Sequence, residues 1–166
     1  VTTERDPIRD YPNDDVAANL VGFLGVDGPL AGIELTFDSQ LAGTDGEARY
    51  EVGGGNRIPL GESSTTKAVD GTDLQLTIDR DVQWYVQRAL RSAVVKAGAS
   101  SGAIVVTETS SGQILALADY PSYDANDPTD VKDKGDLGAR ALSDVYEPGS
   151  VAKALTFAAL IEEGEI

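Results

Sequence analysis

The sequence predicts an α+β protein in two parts, a small mixed module followed by an α/β sandwich with antiparallel strands. Residues 1–70 are rich in glycine and turn residues and contain only short apolar stretches, which is typical of a small module with a modest core. Residues 71–166 contain longer apolar segments in the order strand, helix, hairpin, loop and helix. A hydrophobic fraction of 41% is sufficient for a real core.

The first part is predicted to contain two short helices. Asn13 can cap a helix that continues through Val21. After a loop at residues 25–29, a second amphipathic helix begins at Gly32 and ends at Gly43. The apolar stripe of this second helix consists of Ile33, Phe37 and Leu41.

Two strands are predicted next, at residues 47–52 and 57–60, around a turn at residues 53–56. The three consecutive glycines of this turn are not followed by the lysine and serine of a phosphate-binding loop. We therefore interpret them as the tip of a hairpin.

The second part begins with an alternating strand and a long capped helix. Leu74, Leu76 and Ile78 alternate with polar neighbours, as in a strand with one buried face. Asp79 can cap the helix that follows, and Gly98 ends it. The predicted apolar stripe of this helix consists of Val82, Tyr85, Val86, Ala89, Leu90, Ala93, Val94 and Ala97.

A strongly apolar hairpin is predicted at residues 103–108 and 113–118, turning at residues 110–112. Because both strands are apolar throughout, we expect the hairpin to lie inside a sheet that is covered on both faces. A polar loop at residues 120–136 follows it. The acidic residues of this loop lack the spacing of a calcium loop, so a solvated surface is the preferred interpretation. These acidic residues are Asp124, Asp127, Asp130 and Asp133.

Ser150 and Lys153 form the main candidate site. Because Pro148 and Gly149 interrupt the chain just before them, Ser150 is predicted to lie in the first turn of a new, mostly buried helix that ends at Gly164. Residues three apart lie on one face of a helix, one turn apart. A lysine that is partly desolvated and loses its proton can activate a serine hydroxyl, and the helix N-terminus favours the negative charge that develops. By spacing alone, a cap serine beside a solvated lysine is an equally good interpretation, and the rest of the chain has to decide between the two.

The composition excludes several other kinds of site. The sequence contains no histidine and no cysteine, which excludes a Ser-His-Asp triad, disulfides and thiolate metal sites. A hydrolase or acyltransferase built from this chain therefore needs a lysine or a carboxylate as its base, and we predict no cofactor and no metal. The net charge of −15 argues against binding to nucleic acid.

A second Ser-x-x-Lys tetrad, Ser64-Thr65-Thr66-Lys67, lies in a polar β-branched segment with no apolar helix behind it, and we interpret it as chance. No stretch approaches the roughly 18 apolar residues of a membrane span. The chain contains no methionine and closes just past a helix, so we expect it to be a piece of a longer protein.

Seven stretches, in order along the chain, resemble class B penicillin-binding proteins. Their residues are most similar to those of actinobacterial members. They are Arg9-Asp10-Tyr11-Pro12, Gly32-Ile33-Glu34, Leu41-Ala42-Gly43-Thr44-Asp45-Gly46, Leu76-Thr77-Ile78-Asp79 followed by Gln83, Gly112-Gln113-Ile114-Leu115-Ala116-Leu117-Ala118, Pro121-Ser122-Tyr123-Asp124-Ala125-Asn126, and Glu147-Pro148-Gly149-Ser150-Val151-Ala152-Lys153. The resemblance implies that residues 1–70 are part of the family's non-catalytic pedestal, a dimerisation-type module. Residues 71–166 would then be the start of its transpeptidase domain, which has the serine β-lactamase-like fold.

The resemblance also implies a reaction. Ser150 matches the acylated serine and Lys153 the general base of a D,D-transpeptidase that cross-links peptidoglycan stem peptides ending in D-Ala-D-Ala. β-Lactam antibiotics would acylate the same serine. Members of this family act at the outer face of the cytoplasmic membrane, anchored by an N-terminal transmembrane helix, in cell division or in the elongation that sets cell shape. The implied partners are a SEDS-type glycosyltransferase, divisome or elongasome proteins, and the remainder of the transpeptidase domain.

Two departures from the family pattern are visible. Val151 and Ala152 stand where the family has a threonine and an aromatic residue, although the spacing is kept. The Ser-x-Asn and Lys-Thr-Gly motifs that complete the family's site do not occur in the 166 residues, so we expect this chain to be inactive alone. Two alternatives remain open: a β-lactamase or β-lactam sensor that uses the same tetrad, and a non-catalytic scaffold that docks division or elongation partners.

Overall fold

The structure, a computed structural model, describes residues 9–58 and 63–166. The predicted combination of helices with antiparallel strands is confirmed. The helices are α1 (Ala18–Val21), α2 (Gly32–Thr36), α3 (Asp38–Leu41), α4 (Arg80–Ala97), α5 (Arg140–Ser143) and α6 (Lys153–Glu162). The strands are β1 (Leu24–Gly25), β2 (Gly28–Pro29), β3 (Glu47–Tyr50), β4 (Val52–Gly53), β5 (Asn56–Arg57), β6 (Ser63–Thr66), β7 (Gly102–Thr107) and β8 (Ile114–Tyr120). Short 3₁₀ turns lie at Pro128–Asp130, Lys134–Leu137 and Gly149–Ala152.

The long helix α4 begins and ends as predicted. The Asp79 carboxylate accepts hydrogen bonds from the N–H groups of Asp81 and Val82, at 2.9 and 3.0 Å. These bonds satisfy two of the N–H groups that a helix leaves unpaired at its start. At the other end, Gly98 has a φ of 66°, the left-handed conformation in which glycine commonly ends a helix.

The hairpin of β7 and β8 is also confirmed, with Gly102 opposite Tyr120 at its open end. Helix α4 packs across one face of this hairpin. The resulting core consists of Val86, Leu90, Val94, Ala116 and Ala118. Inward and outward residues alternate along β7, and Val105 on the outward side is 48% exposed. In β8, by contrast, residues 116–119 are all buried, so both faces of this strand are covered. The prediction that both faces are covered is therefore confirmed for β8 and wrong for the outward side of β7.

The predicted α4 stripe is correct at Val86, Leu90 and Val94. It is wrong at Tyr85, which is 70% exposed, and at the exposed alanines 89, 93 and 97. Two glutamines, Gln83 and Gln87, occupy the buried face instead. Both bind backbone groups of other elements, which explains how polar side chains are accommodated there.

The two helices predicted in the first part are shorter than expected. Residues 12–17 form turns, and α1 begins only at Ala18 because Asp14 and Ala17 have positive φ angles of 51° and 57°. Residues in this left-handed conformation cannot continue a right-handed helix. The second predicted helix is divided into α2 and α3 at Phe37, whose φ of −110° is not helical.

The strand pairing in the first part differs from the prediction. Glycines 54 and 55 form the tip of a small hairpin between β4 and β5, as predicted. However, β3 pairs with β6 rather than with residues 57–60, of which residues 59 and 60 lie outside the described residues. Ser64 belongs to strand β6, so the second Ser-x-x-Lys tetrad is not helical at its serine.

The strand predicted around Leu74, Leu76 and Ile78 is not formed. This segment runs beside the start of β8, where the Asp79 N–H donates to the Leu115 carbonyl at 2.8 Å. The hydroxyl of Thr77 likewise donates to the Ile114 carbonyl at 2.6 Å. One backbone bond is too few for a ladder, which explains the missing strand.

Candidate active site

Ser150 lies at the start of the last helix, as predicted. The preceding Gly149 has a φ of 54°, and a 3₁₀ turn over Gly149–Ala152 leads directly into α6. The backbone carbonyl of Ser150 accepts a hydrogen bond where this turn joins the helix. The Ser150 side chain is exposed. A serine in this position faces solvent near the positive end of a helix of 10 residues.

Lys153 is the first residue of α6 and is also exposed. Residues three apart nearly eclipse each other along a 3₁₀ turn, so Ser150 and Lys153 lie on the same side of the chain. The structure thus places the two residues that the sequence singled out one turn apart at the start of the same helix. A hydroxyl and an amine on one side of a helix start are the parts of a nucleophile and its base.

The helix behind this pair is not buried, which corrects the prediction made from its apolar spacing. Leu155, Phe157 and Ile161 are 77%, 54% and 64% exposed. In the described residues, no helix or strand covers these side chains. Gly164 does end the helix, with a φ of 73° and a bond from the Glu165 N–H to the Leu160 carbonyl.

Helix α5 connects the hairpin to the segment that carries Ser150. It lies against β7 and β8, and the Ala141 N–H donates to the carboxylate of Asp119 at 2.8 Å. Arg140, the first residue of α5, forms ion pairs with Asp136 at 2.6 Å and with Asp144 at 3.0 Å. Between α5 and the 3₁₀ turn, the side chains of residues 144–148 are exposed.

Two buried glutamines of α4, which the apolar pattern of the sequence does not predict, support the hairpin and the first part of the chain. The Gln83 amide donates to the Leu117 carbonyl at 2.9 Å and accepts from the Leu117 N–H at 2.7 Å. Gln87 does the same one turn later, donating to the Asp15 carbonyl at 2.6 Å and accepting from the Ala17 N–H at 3.1 Å. Their spacing from Leu90 and Val94 was the available signal, because all four positions share one helical face.

The first part of the chain is held against the second by a dense set of contacts. Arg88 of α4 binds the Asp15 carboxylate through two nitrogens, at 2.5 and 2.7 Å. The side-chain amide of Asn126 pairs with the backbone of Tyr11 through two bonds of 2.9 Å. Asn19 in α1 is buried and donates to the Asp136 carbonyl at 2.7 Å. These bonds fix residues 11–19 on α4 and on the loop that leads to α5.

An apolar core lies beneath these bonds. Its buried members are Ala18, Phe23, Ala31, Tyr123 and Ala125. The rings of Phe23 and Tyr123 meet edge to face, with their centroids 5.9 Å apart. The Tyr123 hydroxyl lies 3.1 Å from the Ala18 carbonyl oxygen and 3.0 Å from that of Leu137. Burial raises the pKa of Tyr123 to about 12.

A polar groove lies between the first part and the start of the second, at some distance along the chain from Ser150. Its lining includes Arg9 and Glu34, whose side chains form an ion pair of 2.8 Å, and residues 71–74 and 76. Glu34 is buried and also accepts a hydrogen bond from the Tyr11 hydroxyl at 3.4 Å. These contacts give Arg9 and Glu34 a role in holding the first part together.

The acidic loop stabilises its own turns. Asp124, Asp127 and Asp133 each accept a hydrogen bond from a backbone N–H two residues later, while Asp130 is exposed. In residues 9–58 and 63–166, no cluster of three or more acidic side chains is arranged to hold a metal ion. Within the same ranges, no helix is both long enough and apolar enough to cross a membrane.

Comparison with known proteins places these elements in a family. Residues 102–166 match the family described as "Penicillin binding protein transpeptidase domain", and residues 30–76 match "Penicillin-binding Protein dimerisation domain". The chain belongs to the penicillin-binding proteins. The resemblance to class B members, which combine these two domains, is thereby confirmed. Ser150 and Lys153 both lie within the matched transpeptidase region.

The relatives of this penicillin-binding protein chain agree over nearly its whole length. It is 39% identical to "Penicillin-binding protein PbpB" of Mycolicibacterium smegmatis over 99% of the chain and 26% of the relative. It is 33% identical to "Peptidoglycan D,D-transpeptidase FtsI" of Escherichia coli, over 95% of the chain and 27% of the relative. A peptidoglycan synthetase of known structure from Bifidobacterium adolescentis is 34% identical, with a TM-score of 0.73 over 93% of this chain and 28% of that one. The chain therefore spans about a quarter of the length of these relatives.

Proposed function

We propose that this chain carries the nucleophile-bearing part of a D,D-transpeptidase that cross-links peptidoglycan, with Ser150 as nucleophile and Lys153 as general base. The observation that carries the proposal is the pair itself: a serine and a lysine one turn apart, both exposed at the start of α6, inside the region that matches a transpeptidase domain. The name of the relative from Escherichia coli, a peptidoglycan D,D-transpeptidase, supports the same reaction.

The reaction has two steps. In the first, Lys153, as the free amine, accepts the proton of the Ser150 hydroxyl while the Ser150 oxygen attacks the carbonyl of the penultimate D-alanine. The bond to the terminal D-alanine breaks, and its amine leaves with a proton. In the second step, an amine from a neighbouring stem peptide attacks the resulting ester, restores the Ser150 hydroxyl and forms the cross-link. The Ser150 N–H would donate to the oxyanion in both steps. A β-lactam would acylate the same oxygen.

We also propose the division of the chain at about residue 70, with a pedestal module before it and the start of the transpeptidase domain after it. The separate family matches over 30–76 and 102–166 support this division. A dimerisation-type module also favours a transpeptidase over a stand-alone β-lactamase. The family further implies a membrane anchor, action at the outer face of the cytoplasmic membrane, and a SEDS-type glycosyltransferase and divisome or elongasome proteins as partners.

The test is the cross-linked product. The full-length protein is incubated with polymerised peptidoglycan strands that carry D-Ala-D-Ala stems, and the digested products are analysed by mass spectrometry. We expect cross-linked stem dimers and free D-alanine with the wild type and neither with Ser150→Ala. Ser64→Ala is the matched control, because it removes the serine of the other Ser-x-x-Lys tetrad, and it should form dimers as the wild type does. Dimers formed by Ser150→Ala, or their loss in Ser64→Ala, would reject the assignment.

A further inference from the structure

Asp119 is a buried carboxyl group that is only half satisfied. It lies in β8 opposite Ala103 and is 3% exposed. One of its oxygens, Oδ1, accepts the hydrogen bond of 2.8 Å from the Ala141 N–H. The other, Oδ2, is buried and has no hydrogen-bond partner among the described residues. Leaving a buried polar atom unpaired is costly, and most for an ionised group, so this arrangement calls for an explanation.

The bond from Ala141 holds α5 against the hairpin. Helix α5 has four residues and packs against β7 and β8. The next structured segment is the 3₁₀ turn that contains Ser150, and the chain reaches it through residues 144–148, of which Val145 and Tyr146 are 98% and 80% exposed. The position of α5 on the hairpin therefore sets where the segment that leads to Ser150 begins.

In the described part of the chain, no neighbouring positive charge is available to balance an ionised Asp119 carboxylate. On α5, Arg140 is paired with Asp136 and Asp144. Strand β7, helix α1 and the buried face of α4 contribute only uncharged side chains. Burial raises the pKa of the Asp119 carboxyl and outweighs the Ala141 N–H, which lowers it; the Asp144 carboxylate raises the pKa further, and Arg140 lowers it.

We propose that Asp119 is a positioning residue, whose carboxyl holds α5 and thereby the segment leading to Ser150, and that it does so best when Oδ2 carries no charge. The bond through Oδ1 needs only an acceptor, which a protonated carboxyl or an amide also supplies. An ionised Oδ2 would instead place an unpaired charge in the interior. The part that concerns Ser150 rests on the proposed transpeptidase function, whereas the part that concerns α5 does not.

The sign of the pH effect follows from this arrangement. The folded chain binds the Asp119 proton more tightly than the unfolded chain. The contribution of Asp119 to the free energy of unfolding therefore falls as the pH rises. The fall begins at about 4, the ordinary pKa of an aspartate, and ends above the raised pKa of the folded chain. Above that value its effect is constant. An asparagine at position 119 keeps the acceptor for Ala141 and has no proton to lose, so the pH dependence should disappear.

The experiment uses the full-length protein and three variants: Asp119→Asn, Asp119→Ala and, as a control of equal charge change at an exposed site, Asp130→Asn. Hydrogen exchange of the peptide covering residues 139–144 is followed by mass spectrometry between about pH 4 and about pH 8. The rate of acylation by a fluorescent penicillin is measured over the same range.

We expect Asp119→Ala to increase the exchange of this peptide and to slow acylation at least about tenfold, since small displacements near a nucleophile are costly. Asp119→Asn should match or exceed the wild type in both, and its local protection, corrected for intrinsic exchange rates, should no longer fall with pH. Asp130→Asn should behave as the wild type.

The proposal is overturned if Asp119→Asn is as impaired as Asp119→Ala, or if it keeps the wild type's pH dependence. If Asp119→Ala does not fold, the comparison of the wild type with Asp119→Asn still decides. If hydrogen exchange gives the expected results but the penicillin acylates none of the proteins, the role of Asp119 in holding α5 is supported and the proposed function is rejected.

Discussion

The two regions of the chain around the candidate active site differ sharply in how they pack against the rest of the molecule. We call residues 11–31 together with residues 79–138 the docked region, and residues 139–166 the terminal region. In the docked region, two apolar cores and the paired amides of Gln83 and Gln87 join distant parts of the chain. In the terminal region, α6 exposes its apolar side chains, and the contact described with the sheet is made by α5.

The candidate catalytic residues and the framework around them therefore depend on different parts of the sequence. Ser150 and Lys153 are placed by a local device, a positive-φ glycine followed by a helix start. The docked region depends instead on contacts between residues up to 119 positions apart, such as the bond from Asn19 to Gly138. The comparison predicts that substitutions in the docked region will be costly and that similar ones in α6 will not.

The largest effect is expected for Gly22→Ala in the docked region. Gly22 has a φ of 79°, and a Cβ there would lie 1.9 Å from the Ala31 carbonyl oxygen. Because the obstructing atom belongs to the backbone, we expect a loss of about 3–5 kcal/mol in the free energy of unfolding, measured by urea denaturation. Gly138→Ala is the matched control, since no atom lies within 4 Å of its added Cβ. An equal loss in both variants would contradict the close approach at Gly22.

A smaller loss is expected for Gln83→Leu. Gln83 is fully buried, and its removal leaves both the N–H and the carbonyl of Leu117 without a partner. The expected loss is about 2–3 kcal/mol, from two unsatisfied backbone groups. Gln40→Leu makes the same change at an exposed helical position and should alter stability by less than about 0.5 kcal/mol. Similar denaturation midpoints for the two variants would show that the Gln83 bonds add nothing.

The smallest effect is expected in the terminal region, for Phe157→Ser. Phe157 is 54% exposed, so in the 166-residue chain its loss should change the free energy of unfolding by less than about 0.5 kcal/mol. Phe23→Ser is the counterpart in the docked region: Phe23 is 6% exposed and packs on Tyr123, and its loss should cost about 3–5 kcal/mol. A cost above about 2 kcal/mol for Phe157→Ser would mean that α6 is packed, and the comparison would fail.

The same division explains what the sequence alone could predict. Elements with local signals were predicted within one or two residues: α4 from its Asp79 cap and Gly98, the β7–β8 hairpin from its apolar strands and turn, and the helix start at Ser150. Each of these signals lies inside the element or next to it.

Features that depend on a distant partner were not predictable in this way. The apolar periodicity of α6 and of residues 74–78 shows that these segments can be buried, not that a partner is present to bury them. The pairing of β3 with β6 joins residues far apart along the chain. The role of Gln83 was invisible for the same reason, because a glutamine on an apolar face has meaning only once the Leu117 backbone lies opposite it.

The intact mass of the protein after incubation with a penicillin tests whether Ser150 is the nucleophile. The full-length protein and the 166-residue chain are compared, each as wild type, Ser150→Ala and Ser64→Ala. We expect one adduct on the full-length wild type and on Ser64→Ala, none on Ser150→Ala, and none on the 166-residue chain. A folded full-length wild type without an adduct, or an adduct that survives Ser150→Ala, would contradict this assignment.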